Sequence, residues 1–346
     1  MTIDELTEKV FVVAELSANH NQNFDLAVKT LEAIKSAEAD AVKLQTYTPD
    51  SITINCNNKY FKITGDSLWT GKVLYELYKE AYTPWEWHEK LKNIAEKLGL
   101  MFFSTPFDFK SVDFLEQLDV SLYKIASFEI TDIPLIKYIA SKGKPIILST
   151  GIAELDDIEL AVATIREQGN NEIALLKCTS AYPAPVEEAN LLTIPDMEKR
   201  FDCVVGLSDH TLTTSVPVAA VALGARIIEK HFILDRSLGG PDAGFSMEPD
   251  EFKRMVKEIR QVEAAVGKVN YDISESVKRS KIFKRSLFVV KDIKKGEIFT
   301  KNNVRSIRPG YGLHPKYYDD IIGKKACCDI NEGTPLSWEV VSDIEV

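Results

Sequence analysis

From residue 10 to about residue 265, short runs of β-branched and apolar residues alternate with helical patterns, and this alternation restricts the fold more than any other feature. Lys9 to Leu16 predicts a first strand, Asp25 to Ala37 an amphipathic helix, and Asp40 to Tyr47 a second strand. Residues 48 to 82 form a long polar and aromatic excursion; a stretch of that length in a compact domain is usually functional. Then follow helix Pro84 to Leu98, strand Leu100 to Thr105, helix Lys110 to Leu118, strand Leu122 to Ala126 and helix Pro134 to Ser141. Strand Pro145 to Thr150, helix Leu155 to Gln168, strand Ile173 to Cys178, a short helix near residue 195 and strand Cys203 to Leu207 come next. A small-residue helix then leads to an eighth strand ending in Glu229, Lys230 and His231. Eight β/α units over residues 1–270 point to a (β/α)8 TIM barrel of the α/β class. A doubly wound sheet is the alternative, but no Gly-x-Gly-x-x-Gly follows the first strand.

From about residue 270 the texture changes. The charged segment 271–284 reads as a linker, and residues 285–346 as a small, mostly β domain of short runs and turns. That domain contains an echo: Asp292-Ile293-Lys294-Lys295-Gly296 recurs as Asp329-Ile330-Asn331-Glu332-Gly333.

A net charge of −10 argues against a dedicated nucleic-acid or anionic-membrane binder. The five cysteines are odd in number and show no Cys-x-x-Cys spacing, so neither a disulfide framework nor a structural zinc site is indicated. With no basic and apolar leader and no uncharged apolar run of about 20 residues, a cytoplasmic protein without a membrane span is expected.

Polar residues follow the apolar run of almost every strand: Glu15 on the first, Lys43 and Gln45 on the second, Ser104 and Thr105 on the third. Lys124, Ser127 and Glu129 follow the fourth, Ser149 and Thr150 the fifth, and Lys177, Thr179, Ser180 and Tyr182 the sixth. Ser208, Asp209 and His210 follow the seventh. In a barrel these converge on the C-terminal face, where active sites of this fold lie. Lysines on buried strands are costly unless paired or facing a ligand, so lysines and hydroxyls around one mouth point to an anionic, phosphorylated substrate. A lone histidine after a strand is ordinarily a hydrogen-bonded structural residue. His210 and His231 stand 21 positions apart at successive strand ends, and that pairing favours a divalent-metal site. Glu15, Glu129, Glu229 and Asp242 offer acid/base or orienting roles.

Several stretches are shared with one family: Ala14-Glu15-Leu16-Ser17-Ala18-Asn19-His20, Val42-Lys43-Leu44-Gln45-Thr46 and Phe103-Ser104-Thr105-Pro106-Phe107. Tyr123-Lys124-Ile125-Ala126-Ser127-Phe128-Glu129, Gly206-Leu207-Ser208-Asp209-His210 and Glu229-Lys230-His231-Phe232 belong to the same set. On these the chain resembles the sialic acid synthase family, which condenses phosphoenolpyruvate with an amino sugar, and its C-terminal part resembles that family's antifreeze-like (SAF) domain.

The resemblance implies a divalent ion, manganese or magnesium, on His210 and His231. It implies a phosphoenolpyruvate cradle of Lys43, Thr105, Lys124, Ser127, Ser149, Ser180 and Ser208, although some members carry Asn where this chain has Ser180. Glu15, Lys43, Lys124 and Asp242 would be catalytic. Gln45, Tyr182 and Asp242 would line an N-acylated amino sugar, which Arg308 would reach from the partner of a domain-swapped homodimer. The stretches Leu68-Trp69, Leu74-Tyr75-Glu76-Leu77-Tyr78 and Arg308-Pro309-Gly310-Tyr311 match the branch whose sugar is 2,4-diacetamido-2,4,6-trideoxy-L-altrose. The N-acetylneuraminate and legionaminate branches, with the same chemistry, are the alternative. Pathway association points to flagellin or surface polysaccharide as the destination of the product.

Overall fold

The computed structural model describes residues 1–65 and 68–342, and the chain divides into two compact units, Met1–Gly267 and Lys268–Val346. In the first, strands β1 (Phe11–Glu15), β2 (Ala41–Thr46), β3 (Met101–Pro106), β4 (Tyr123–Ile125), β5 (Ile146–Ser149), β6 (Ile173–Cys178), β7 (Val204–Asp209) and β8 (Ile227–His231) pair in parallel in sequence order. β8 closes on β1, with Glu15 opposite His231, so the sheet is a barrel and not the doubly wound alternative. Every strand lies within two residues of its predicted span. The excursion is not featureless: it holds helices Pro49–Ile52 and Leu74–Ala81. A helix that hydropathy did not single out, Pro249–Val266, begins with proline in its first turn and a Glu248/Glu251 capping box.

Strand pleating sorts the barrel residues into two sets. Phe11, Val13, Ala41, Phe103, Leu122, Ile147, Ala174, Leu176 and Ile227 form a buried plug inside the barrel. Their outward neighbours, among them Val12, Val42, Phe102, Tyr123, Ile146, Leu175, Val205 and Ile228, pack under the surrounding helices. Burying each such side chain stabilises the fold by roughly 1.5–3 kcal/mol. At the opposite end from the strand C-termini, Asp40 Oδ2 accepts from Val12 N at 2.9 Å and from Arg260 Nη2 at 2.6 Å, tying the Pro249–Val266 helix to the first two strands.

In the second unit, as expected of a small, mostly β domain, β9 (Ser286–Val289) pairs antiparallel with β10 (Val304–Ile307), and among the described residues the other β contacts are isolated bridges. The expected linker 271–284 contains helix Glu275–Lys278 and the 3-10 turn Arg279–Phe283. The sequence echo is a structural two-fold. Asp292 Oδ1 accepts from Glu332 N at 2.7 Å, and Asp329 Oδ1 from Lys295 N at 2.8 Å. Gly333 N donates to Val289 O as Gly296 N donates to Ala326 O, both at 2.8 Å, and both glycines hold φ of 85°, a left-handed conformation costly for other residues. Each partner is displaced by 37 positions, and the core residues Val289, Ile293, Phe299 and Val304 have buried counterparts in Ala326, Ile330, Leu336 and Val341. Among the described residues no helix is long and apolar enough to cross a membrane.

Candidate active site

The pleat that puts the apolar plug inside the barrel also places Glu15, Lys43, Gln45, Thr105, Lys124, Ser149, Cys178, Ser208, Glu229 and His231 on the inward face, one layer nearer the strand C-termini. At the centre of that layer Lys43 Nζ lies 2.5 Å from Glu15 Oε2 and 3.8 Å from Glu229 Oε1. Lys124 Nζ lies 3.9 Å from the same Glu229 oxygen. Hydroxyls complete the ring: Thr105 Oγ1 is 3.3 Å from Lys43 Nζ, Ser149 Oγ 2.7 Å from Lys124 Nζ, and Ser208 Oγ donates to Glu229 Oε1 at 3.1 Å.

All four charged groups are buried, and their neighbours decide their protonation. Burial would raise the Glu229 carboxyl, but Lys124 and Lys43 outweigh it and hold that group below its usual range. Glu15 is pushed up by burial to about 7, with Lys43 opposing and Glu229 reinforcing. Burial draws the Lys124 ammonium down, against Glu229. Lys43 is raised, because Glu15 and Glu229 overcome its burial. With Glu229 ionised and Glu15 able to keep its proton near neutrality, two ammonium groups face one full negative charge. The bowl is net positive and suits a small polyanion.

Ser127 and Ser180 meet on one side of the bowl. Gly151 N donates to Ser127 Oγ at 3.0 Å, and a Cβ on Gly151 would fall 2.1 Å from Ser180 Oγ, 2.8 Å from Ser127 Oγ and 2.9 Å from Cys178 Sγ. The glycine therefore keeps a nook open among two hydroxyls and a thiol. On the other side Gln45 Nε2 donates to Glu15 Oε1 at 3.2 Å and Ser17 Oγ at 3.0 Å, and Ser17 Oγ in turn donates to Asp242 Oδ2 at 2.5 Å.

The two histidines come together above the bowl with ring centroids 5.4 Å apart. Thr179 O, which can only accept, lies 3.0 Å from His210 Nδ1, so Nδ1 carries a proton and Nε2 is the nitrogen that could face a ligand. His231 Nδ1 is buried with no hydrogen-bond partner, and Asp242 Oδ2 stands 3.9 Å from it. Burial, reinforced by His210 and Lys43, keeps His231 neutral. Burial opposes, but Cys178 and Thr179 outweigh it and raise His210, so His210 would release a proton on joining His231 around a divalent ion, which this pair of neighbouring imidazoles fits. Among the described residues no group of three or more His, Cys, Asp or Glu side chains adds further ligands.

The Tyr182 ring lies 4.5 Å from that of His210, tilted at 52° to it. Arg308 is exposed in the second unit, just past β10. Lys177 lies on the outward face of β6, donating to Cys178 O at 2.7 Å, and Lys230 pairs with Asp209 outside the barrel wall; neither joins the bowl. Glu229, which sequence reading gave no single role, turns out to join both lysines. Ser17, Cys178 and Phe245, which the sequence did not single out, stand beside the predicted site residues. Ser17 sits at φ 46°, a backbone requirement that hydropathy does not reveal.

Glu129, past the end of β4, is raised to about 7 by burial, with Lys124 opposing, and its Oε2 lacks a partner. A carboxyl near 4.5 when unfolded and near 7 when folded favours the fold below about pH 4.5, and that contribution fades as pH rises through 7. Glu129→Gln is therefore expected to stabilise the protein at pH 8 by about 2 kcal/mol and to leave it nearly unchanged at pH 4.5. Urea midpoints at the two pH values check the sign, and an equal change at both would show that burial of the charge is not the cause.

A parallel eight-stranded barrel with a lysine- and hydroxyl-lined layer at its mouth and paired histidines above it defines an enzyme of the (β/α)8 class. The chain belongs to the NeuB family, which it matches over residues 30–271, and residues 284–341 match the SAF domain. It is 49% identical to the pseudaminic acid synthase of Helicobacter pylori, covering 96% of this chain and 97% of that one. It is 48% identical to the pseudaminic acid synthase of Campylobacter jejuni over 95% and 96% of the two chains. Among solved structures it resembles the N-acetylneuraminic acid (sialic acid) synthetase of Leptospira borgpetersenii, with a TM-score of 0.71 and 31% identity over 79% of this chain and 90% of that one.

Proposed function

We propose that this chain catalyses the pseudaminic acid synthase reaction: phosphoenolpyruvate, 2,4-diacetamido-2,4,6-trideoxy-L-altrose and water give pseudaminic acid and phosphate. The observation that carries the chemistry is the pair of buried lysines sharing Glu229 beneath two neighbouring histidines. The choice of sugar rests on the near full-length similarity to two pseudaminic acid synthases.

In this reading Lys43, Lys124, Thr105, Ser127, Ser149, Ser180 and Ser208 bind the phosphate and carboxylate, and Gln45, Tyr182 and Asp242 orient the open-chain sugar. The methylene carbon of phosphoenolpyruvate attacks the aldehyde carbon and forms the new C–C bond. Water captures the cationic C2 that results, and the tetrahedral intermediate collapses by C–O cleavage to a nine-carbon 2-keto acid and phosphate. Glu15, held near neutrality, moves the proton of the water or nascent hydroxyl. A manganese or magnesium ion on His210 and His231 would supply Lewis acidity at the aldehyde. Arg308 of the partner subunit would reach the N-acyl group in a domain-swapped homodimer.

Phosphate release with a panel of hexoses tests the reading: the diacetamido-trideoxy sugar should give the highest kcat/KM, and oxygen-18 from solvent should enter the keto acid and not the phosphate. Chelation should abolish turnover, with recovery on adding manganese or magnesium. A preference for N-acetylmannosamine would move the chain to the N-acetylneuraminate branch, and label in phosphate would refute the mechanism.

A further inference from the structure

The excursion after β2 brings Trp69 onto the loop that follows β8. Its indole Nε1 donates to Pro241 O at 2.8 Å, and its ring lies 5.5 Å from Tyr182 and 6.4 Å from Phe245. Tyr182 is in turn 4.5 Å from His210, and Phe245 4.8 Å from His231 and 5.0 Å from Tyr182. The rings thus run without a break from the two histidines outward to Trp69. Beside Trp69 opens a cavity of about 290 Å³ whose walls include Leu68, Gly240 and Pro241. Lys72 and Glu80, which also line it, are joined to each other at 2.6 Å.

None of these rings has a part in the bond-making steps. The aldehyde carbon belongs beside the histidines, so the rest of the sugar chain extends past Tyr182, and Trp69 stands one ring farther out. With its N–H engaged by Pro241 O, the indole turns hydrocarbon toward that end. A methyl group loses nothing on meeting such a wall, whereas a hydroxymethyl group gives up hydrogen bonds to water without replacement.

We infer that Trp69 is a specificity-determining residue: with Tyr182 and Phe245 it forms an apolar wall for the unreacting end of the sugar and selects a methyl over a hydroxymethyl group there. The inference rests on the reading given under Proposed function and identifies the part of the sugar that Trp69 reads. An apolar wall excludes an added hydroxyl by about 10- to 100-fold, which sets the scale of the effect.

The test uses the full chain and phosphate release with two substrates, 2,4-diacetamido-2,4,6-trideoxy-L-altrose and its counterpart bearing a 6-hydroxyl. For Trp69→Ala the ratio of kcat/KM between the two should fall by about 10-fold, through a raised KM for the deoxy sugar, while the KM for phosphoenolpyruvate stays put. Trp69→Phe should keep most of the preference. Wild-type turnover of the deoxy sugar with a ratio that Trp69→Ala leaves unmoved overturns this inference and spares the assigned reaction. An equal loss for both sugars assigns Trp69 a purely structural role and likewise overturns it. Wild-type preference for the hydroxylated sugar overturns both.

Discussion

Lys43→Met is expected to lower kcat/KM for phosphoenolpyruvate by about three orders of magnitude or more while leaving a folded protein, the largest activity loss of any single change at the mouth. Its ammonium is shared by Glu15, Glu229 and Thr105, and without it the bowl would lose its net positive charge. Breaking a buried ion pair usually costs about 3–5 kcal/mol, because the remaining partner is left charged and unpaired. Glu15 has an escape: already raised to about 7, it takes up a proton once Lys43 is gone. The stability cost should therefore be smaller at pH 6 than at pH 8. The double variant Lys43→Met/Glu15→Gln should recover most of the loss at pH 8 and none of the turnover. Phosphate-release kinetics and urea midpoints for the two variants separate the roles. Near-normal turnover in Lys43→Met would remove Lys43 from the substrate cradle.

The barrel is legible in the sequence because its strands are short, β-branched and spaced by helical patterns, and because polar residues cluster where each apolar run stops. Hydropathy cannot supply the parity of those residues. Lys177 and Cys178 are neighbours on β6, as are Lys230 and His231 on β8, yet only Cys178 and His231 point into the mouth. Parity fixes this, since a one-residue shift in register would exchange every inward side chain for an outward one. The remaining omissions are non-local. Trp69 reaches Pro241, and Ser17 reaches Asp242, across stretches that no spacing rule connects. Helix Leu74–Ala81 was hidden because its tyrosines, partly buried in the structure, made the excursion read as an irregular aromatic stretch. The C-terminal echo was visible as five residues, but its extent over 37-position pairs emerges only from hydrogen bonds, because most counterparts share burial and not identity.

Gly206→Ala should be the most damaging single-methyl change in the barrel. Gly206 lies on the inward face of β7, in register with Ile227 of β8. A Cβ there would fall 2.3 Å from Ile227 O, 2.6 Å from Leu176 Cδ2 and 2.8 Å from Ile227 Cβ. The leucine can rotate, but the carbonyl cannot retreat without parting β7 from β8. Overpacking a core by one methyl costs about 1–3 kcal/mol, and a clash with backbone belongs at or above the top of that range. The strain would also reach the chemistry. Ser208 and Glu229, each two residues beyond the clash on its own strand, face each other in register and share a hydrogen bond of 3.1 Å, and Glu229 is the carboxylate shared by both lysines. A variant that still folds should show a lower melting temperature together with a raised KM for phosphoenolpyruvate. Gly239→Ala serves as the control for substituting a glycine as such, since a Cβ there meets nothing within 4 Å and its cost comes from φ of 66° alone. If Gly206→Ala melts no lower than Gly239→Ala, the close approach of β7 and β8 is not what fixes the carboxylate between the lysines.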